Sequence, residues 1–104
     1  MAINLNDISA AEFLKRQSES TSFTIIDVRE EIEYQTFNMG GSNIPLGTLL
    51  RDIDDLDFEK DIEIIVICQR GLRSETAKRA LINKGFVNVK NLVGGLLAIR
   101  KLNL

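Results

Sequence analysis

Runs of apolar residues alternate along this chain with amphipathic segments. Three runs rich in β-branched residues, at positions 23–27, 62–68 and 86–92, predict buried strands. The run at 62–68 is the strongest, because it contains four successive Ile or Val residues, as is typical of a central strand buried on both faces. A short extended piece at 43–44 and a short first strand at 3–5 complete the predicted strands.

Segments with helical character lie between these strands. Ser9 and Glu12 form a capping box that predicts a helix over residues 10–16. Shorter helices are predicted over three further segments, residues 30–37, residues 48–54 with Thr48 as the cap, and residues 96–102.

Another helix is predicted between the second and third apolar runs, with Ser74 as its expected N-cap. Ala77, Ala80 and Leu81 give this helix an apolar stripe, while Lys78 is expected to face water. The alternation of strands and helices predicts an α/β architecture with a mostly parallel sheet and one domain over residues 1–104. Ligands of such sheets bind beyond the carboxyl ends of the strands, and Cys68 ends the strongest strand.

Composition narrows the chemistry that this edge of the sheet can carry. The 104 residues include one cysteine and no histidine, which excludes a disulfide framework within the chain and every imidazole mechanism. A net charge of −2 argues against nucleic-acid binding. No apolar run is long enough for a bilayer and no signal-peptide pattern begins the chain, so we expect no membrane association. A free thiol without an export signal predicts a cytoplasmic protein. No long amphipathic surface is left over, so we expect a monomer.

The candidate site is the loop that follows the central strand. Its seven residues are Cys68, Gln69, Arg70, Gly71, Leu72, Arg73 and Ser74. Gly71 allows a tight turn that points N–H groups inward, and the helix that follows adds the positive end of its dipole. Both features favour a thiolate, and the two arginines favour an anion beside it. The alternative interpretation of a lone cysteine is a small buried hydrophobic residue.

The pattern Cys-x-x-Gly-x-Arg after a buried strand resembles the active-site loop of the rhodanese-like sulfurtransferases. Four other segments resemble motifs of that family in the same order along the chain: Asp27-Val28-Arg29-Glu30, Asn43-Ile44-Pro45-Leu46, Gly85-Phe86 and Leu92-Val93-Gly94-Gly95. The resemblance implies a rhodanese-like α/β fold, with a central parallel five-stranded sheet flanked by helices on both faces. Residues 37–42 depart from the common pattern and look more like rhodanese domains attached to adenylating enzymes of sulfur-carrier pathways.

The resemblance also implies a reaction. Cys68 would attack the outer sulfur of a small anionic donor, such as thiosulfate or a persulfide, and pass that sulfur to cyanide, a thiol or a sulfur-carrier protein. The other six residues of the loop would bind the substrate, and neither a cofactor nor a metal is expected. Asp27 and Arg29 also lie at the active edge, where an ion pair that orients loops is the expected role.

Two other functions remain open from the sequence. Phosphatases and arsenate reductases of the same fold place five residues between cysteine and arginine, whereas four separate Cys68 from Arg73 here and Ser74 occupies the next position. The other alternative is a non-catalytic rhodanese-like protein-binding module. Such modules have lost the cysteine, which this chain retains.

Overall fold

The computed structural model describes residues 7–19 and 22–102, which form a parallel sheet with helices on both faces. The strands are β1 (Thr24–Asp27), β2 (Ser42–Asn43), β3 (Ile64–Ile67) and β4 (Val89–Asn91). The helices are α1 (Ala10–Ser18), α2 (Glu31–Thr36), α3 (Leu46–Arg51), α4 (Leu72–Asn83) and α5 (Gly95–Leu102), with a 3₁₀ turn at Ile53–Asp55. Among the described residues no helix is both long and apolar enough to span a bilayer.

Strand β3 lies inside the sheet, whose order is β2-β1-β3-β4 with every pair parallel. All four of its residues are buried, as the uninterrupted Ile and Val run predicts. In the register Asp27 pairs with Ile67, and Val66 pairs with Asn91. The carboxyl ends of β1, β3 and β4 therefore meet at one edge, just where Cys68 leaves the sheet.

Two hydrophobic clusters cover the two faces of the sheet. Ile64 and Val66 point toward the face covered by α3 and α4, together with Leu49 and Leu81. The opposite face is filled by a second cluster of side chains from α1, the alternate positions of the strands and α5, namely Ile8, Ala10, Phe13, Ile25, Ile65, Ile67, Leu92, Leu96 and Ile99. Strand β3 contributes side chains to both clusters, because successive side chains of a strand point to opposite faces of the sheet.

The expectation of five strands is wrong for the described residues, which form a four-stranded sheet. Where a fifth strand would lie beside β4, a single parallel bridge joins Ile8 to Leu92. The Asp7 carboxylate accepts a hydrogen bond from the Asn91 N–H at 3.0 Å, and α1 begins two residues after Ile8. Among the described residues, the Asp7 side chain and the start of α1 thus leave Ile8 alone to pair with the backbone beside β4. The strand predicted at 3–5 lies outside the described residues.

Three local predictions are also wrong. Helix α4 begins at Leu72 with Gly71 as its N-cap, which places Ser74 inside the first turn and not at the cap. Helix α3 begins directly after Pro45, so Thr48 lies within it. The side chain of Lys78 is only 7% exposed, because its ammonium group pairs with the Asp7 carboxylate at 2.9 Å and with Glu75. Asp7 is distant in sequence, and helical periodicity carries no information about it.

Candidate active site

Cys68 directly follows the carboxyl end of β3 and begins a loop. This loop curls around the Cys68 sulfur. Gly71 adopts a positive φ of 91°, which glycine tolerates and most residues do not. A Cβ at that position would also come within 3.1 Å of the Gly94 nitrogen. The turn at Gly71 therefore depends on glycine, and it aims the first N–H groups of α4 back toward Cys68.

Three hydrogen-bonding groups converge on the Cys68 sulfur. The N–H groups of Gly71 and Ser74 donate to Sγ at 3.1 and 3.3 Å, and the Ser74 hydroxyl lies 3.2 Å away. Burial of the thiol, the largest single influence, opposes ionisation, but these donors and the Arg70 N–H together outweigh it and lower the pKa of Cys68 below its ordinary value. The structure thus favours the nucleophilic thiolate without a basic side chain.

Asn91 completes this polar network and was not among the residues that the sequence singled out. Its Oδ1 accepts a short hydrogen bond from the Ser74 hydroxyl, and its Nδ2 donates to the Gly71 carbonyl at 3.0 Å. Cys68, Ser74 and Asn91 are all buried. The signal that could have found Asn91 is a polar residue at the carboxyl end of the strand beside β3.

Helix α5 supports the loop from behind. The N–H groups of Leu96 and Leu97 donate to the carbonyls of Cys68 and Gln69 at 3.0 and 3.1 Å. A Cβ on Gly95 would lie 2.4 to 2.5 Å from those same carbonyl oxygens. The close approach of α5 to the loop therefore requires glycine at position 95.

The two arginines of the loop differ in their surroundings. Arg73 forms two parallel hydrogen bonds to the Glu33 carboxylate at 2.8 and 3.0 Å, which lower the pKa of Glu33 to about 2. The Arg73 charge is therefore partly offset by Glu33, a pairing that the loop sequence alone does not reveal. Arg70 is exposed and has no ion pair among the described residues.

A pocket of about 240 Å³ opens above the sulfur. It is lined by Cys68, Gln69, Arg70, Leu72 and Arg73. Five of the seven loop residues proposed from the sequence are thus brought to this pocket, while Gly71 and Ser74 act beneath it on the sulfur. Cys68 itself is 1% exposed, so only a narrow part of the sulfur is available to a substrate.

Asp27 and Arg29 lie at the same edge but outside that pocket. Their buried ion pair includes contacts of 2.9 and 3.0 Å, and Arg29 also donates to the Phe37 carbonyl. The Asn43 side chain donates to the carbonyls of Asp27 and Arg29. The pair therefore holds three chain segments together beside the Cys68 loop.

The sequence of this chain matches that of a known protein family. The model of a family described as the rhodanese-like domain matches residues 9–102. The chain belongs to the rhodanese-like domain family. A solved rhodanese-related protein from Thermoplasma volcanium has a TM-score of 0.78 and 28% identity, covering 93% of this chain and 92% of that one.

Several curated relatives of this rhodanese-like chain carry names from sulfur chemistry. A putative sulfur carrier protein of Bacillus subtilis is 38% identical over 96 residues, covering 91% of this chain and 51% of that protein. An adenylyltransferase and sulfurtransferase of Zea mays is 31% identical over 97 residues, covering 88% of this chain and 20% of that protein. The chain thus spans about half of the first relative and a fifth of the second.

Proposed function

We propose that this rhodanese-like chain is a sulfurtransferase that carries a sulfane sulfur on Cys68. The observation that supports this most directly is the convergence of the Gly71 and Ser74 N–H groups on Sγ at 3.1 and 3.3 Å. These two N–H donors stabilise a sulfur anion inside a nearly closed site. They can serve the thiolate before the reaction and the persulfide after it.

The first half-reaction loads the cysteine. The Cys68 thiolate attacks the outer sulfur of thiosulfate, a new S–S bond forms, and the old S–S bond breaks with its electron pair leaving on sulfite. The exposed guanidinium of Arg70 lines the pocket where the departing sulfite carries its charge. No proton has to move, which fits a site built from N–H donors.

The second half-reaction unloads it. A thiophilic acceptor, such as cyanide or a thiolate, attacks the outer sulfur of the persulfide, and the Cys68 Sγ–S bond breaks toward Cys68. The Cys68 thiolate that leaves is stabilised by the same N–H donors that activated it, so one set of donors acts in both steps. A sulfur-carrier protein is a further acceptor, suggested by the names of the relatives. The single-domain organisation over residues 1–104, the cytoplasmic location and the monomeric state stay predictions.

The pocket also favours sulfur transfer over phosphoryl transfer. Both Nη atoms of Arg73 bind the Glu33 carboxylate at the loop end, which occupies two of its N–H donors and offsets its charge. Arg70 is the cation of the pocket that has no ion pair among the described residues. One unpaired cation beside the hydrogen-bonded sulfur suits a small sulfur donor.

Thiocyanate formation from thiosulfate and cyanide tests the proposal. We expect turnover by the wild type, none by Cys68→Ser, and a KM for thiosulfate about tenfold higher in Arg70→Gln with kcat largely retained. Arg79→Gln is the matched control, since Arg79 is an exposed arginine of α4 that pairs with Glu75 away from the pocket. Turnover of a phenyl phosphate with no thiocyanate formed would contradict the proposal, as would a folded chain that binds a protein but never holds sulfur.

A further inference from the structure

A second pocket lies beside the Cys68 pocket at the same edge of the sheet. Its volume is about 260 Å³, and its lining comprises Arg29, Ile32, Glu33, Thr36, Phe37, Gln69 and Arg100. The transfer steps above use none of these side chains. Gln69 lines both pockets, and it is the residue directly after Cys68. A molecule that occupies the second pocket therefore contacts the residue that follows Cys68.

Arg29, a nearly buried residue of the second pocket's lining, has one guanidinium nitrogen without a hydrogen-bond partner among the described residues. Arg29 is 3% exposed, and its Nε and Nη2 atoms donate to Asp27 and to the Phe37 carbonyl. Its Nη1 has no hydrogen-bond partner among the described residues. Every side-chain nitrogen or oxygen that is fully buried in that part of the chain does have a partner. Nη1 therefore keeps access to solvent, and Arg29 lines the pocket. A guanidinium held rigidly by its other nitrogens is a preorganised donor to an anionic oxygen.

The rim supplies a second guanidinium. Arg100 lies over the Phe37 ring, with 5.8 Å from its central carbon to the ring centroid, and forms no ion pair among the described residues. The one carboxylate in the lining, Glu33, is already bound through both oxygens by Arg73. Within the lining, the Glu33 carboxylate is thus matched by Arg73, and Arg100 is a cation without an ion pair among the described residues.

The remaining lining is apolar. Ile32 is 74% exposed and Phe37 is 41% exposed, so both present apolar surface to a ligand in this pocket. A ligand that fits has an anionic oxygen group for the two guanidiniums and a short hydrocarbon body for Ile32 and Phe37. Its other end must reach past Gln69 into the pocket of the sulfur.

We propose that this second pocket binds the carboxylate of a low-molecular-weight thiol that accepts sulfur from Cys68. The inference rests on the proposed function, because the thiol needs a loaded cysteine. The thiolate of the acceptor attacks the outer sulfur of the Cys68 persulfide, the Sγ–S bond breaks toward Cys68, and the acceptor leaves as a hydropersulfide. The transferred sulfur is bound to one sulfur before and after, so no outside oxidant or reductant takes part.

Two acceptors of equal length test this assignment. The protein is first loaded with thiosulfate and freed of the donor, and its persulfide is verified by intact mass. Discharge is then followed with 3-mercaptopropionate and with its neutral amide, 3-mercaptopropionamide. We expect the wild type to prefer the carboxylate by kcat/KM, and Arg100→Gln to reduce that preference about fivefold or more. Arg29 is not substituted, because its variants would leave the buried Asp27 carboxylate without its ion-pair partner.

Arg79→Gln is the matched control and should keep the wild-type preference, because it removes an equal charge from a site away from both pockets. As a second readout, 3-(methylthio)propionate, which has no nucleophilic thiol, should compete with 3-mercaptopropionate and leave sulfite release from thiosulfate unchanged. Equal preference in wild type and Arg100→Gln would overturn the subsite while sulfur transfer stands. Absence of the persulfide in the loading step would overturn the proposed function itself.

Discussion

Ser74 has one hydroxyl proton, and two acceptors compete for it. The Cys68 sulfur lies 3.2 Å from Ser74 Oγ, and Asn91 Oδ1 forms a short hydrogen bond with the same oxygen. The Asn91 amide is oriented by its Nδ2, which donates to the Gly71 carbonyl, so its oxygen faces Ser74 as an acceptor. When Cys68 ionises, the hydroxyl has to turn from Asn91 toward the sulfur.

The size of the effect follows from this competition. A hydrogen bond to a charged acceptor contributes about 1.5–3 kcal/mol, and the neutral bond given up at Asn91 is worth about 1 kcal/mol. The net gain for the thiolate is therefore about 0.5–2 kcal/mol, at about 1.4 kcal/mol per factor of ten. We expect Ser74→Ala to lower the thiolate fraction about tenfold at a fixed pH below the midpoint. Asn91→Leu removes the competitor and should raise it about fivefold.

The assay is the pH dependence of iodoacetamide alkylation of Cys68, the one cysteine of the chain. A double-mutant cycle separates competition for the proton from a general loosening of the loop. Asn91→Leu should move the alkylation midpoint to lower pH when Ser74 is present and leave it in place in the Ser74→Ala protein. The same shift in both backgrounds, or a shift to higher pH with Ser74 present, would refute the competition.

Three further predictions concern the fold around the site. Gly95→Ala should abolish sulfur transfer, because its Cβ would collide with loop carbonyls at 2.4 to 2.5 Å, whereas Gly40→Ala, with nothing within 4 Å, should cost only about 1 kcal/mol in urea unfolding. Arg16 hydrogen bonds lower the pKa of Glu63 to about 2, so Glu63 stabilises the fold above its unfolded pKa. This contribution, at most about 3 kcal/mol, should vanish as the pH falls from about 5 to 2 in the wild type and be missing in Glu63→Gln, and equal acid titrations of the two would contradict it. Lys78→Met should destabilise the chain by about 1–3 kcal/mol in urea unfolding, since it strands the carboxylates it neutralises, and an unchanged midpoint would count against that reading.

Sequence reasoning found the parts of the fold and site that depend on local pattern. The Ile and Val run predicted β3 as the inner strand, and its end predicted Cys68 at the ligand-binding edge. Gly71 was expected to turn the chain so that N–H groups face the sulfur, and it does so at φ 91°. These features follow from residues within a few positions of one another.

What the sequence did not reveal depends on partners distant along the chain. Lys78 is buried because Asp7 reaches it, and the pairing of Arg73 with Glu33 cancels charge that the loop alone suggests is free. Asn91 joins the site only because β4 lies beside β3 in register. The single bridge between Ile8 and Leu92, which stands where a fifth strand was expected among the described residues, is likewise a long-range pairing.

The central claim is that Cys68 carries sulfur, and intact mass spectrometry tests it most directly. The chain is incubated with thiosulfate, separated from it without reductant, and weighed. The account predicts one adduct of about 32 Da, the mass of one sulfur atom, that cyanide removes and that Cys68→Ser never forms. A wild-type chain that is folded, gains no such mass and releases no sulfite would contradict the account.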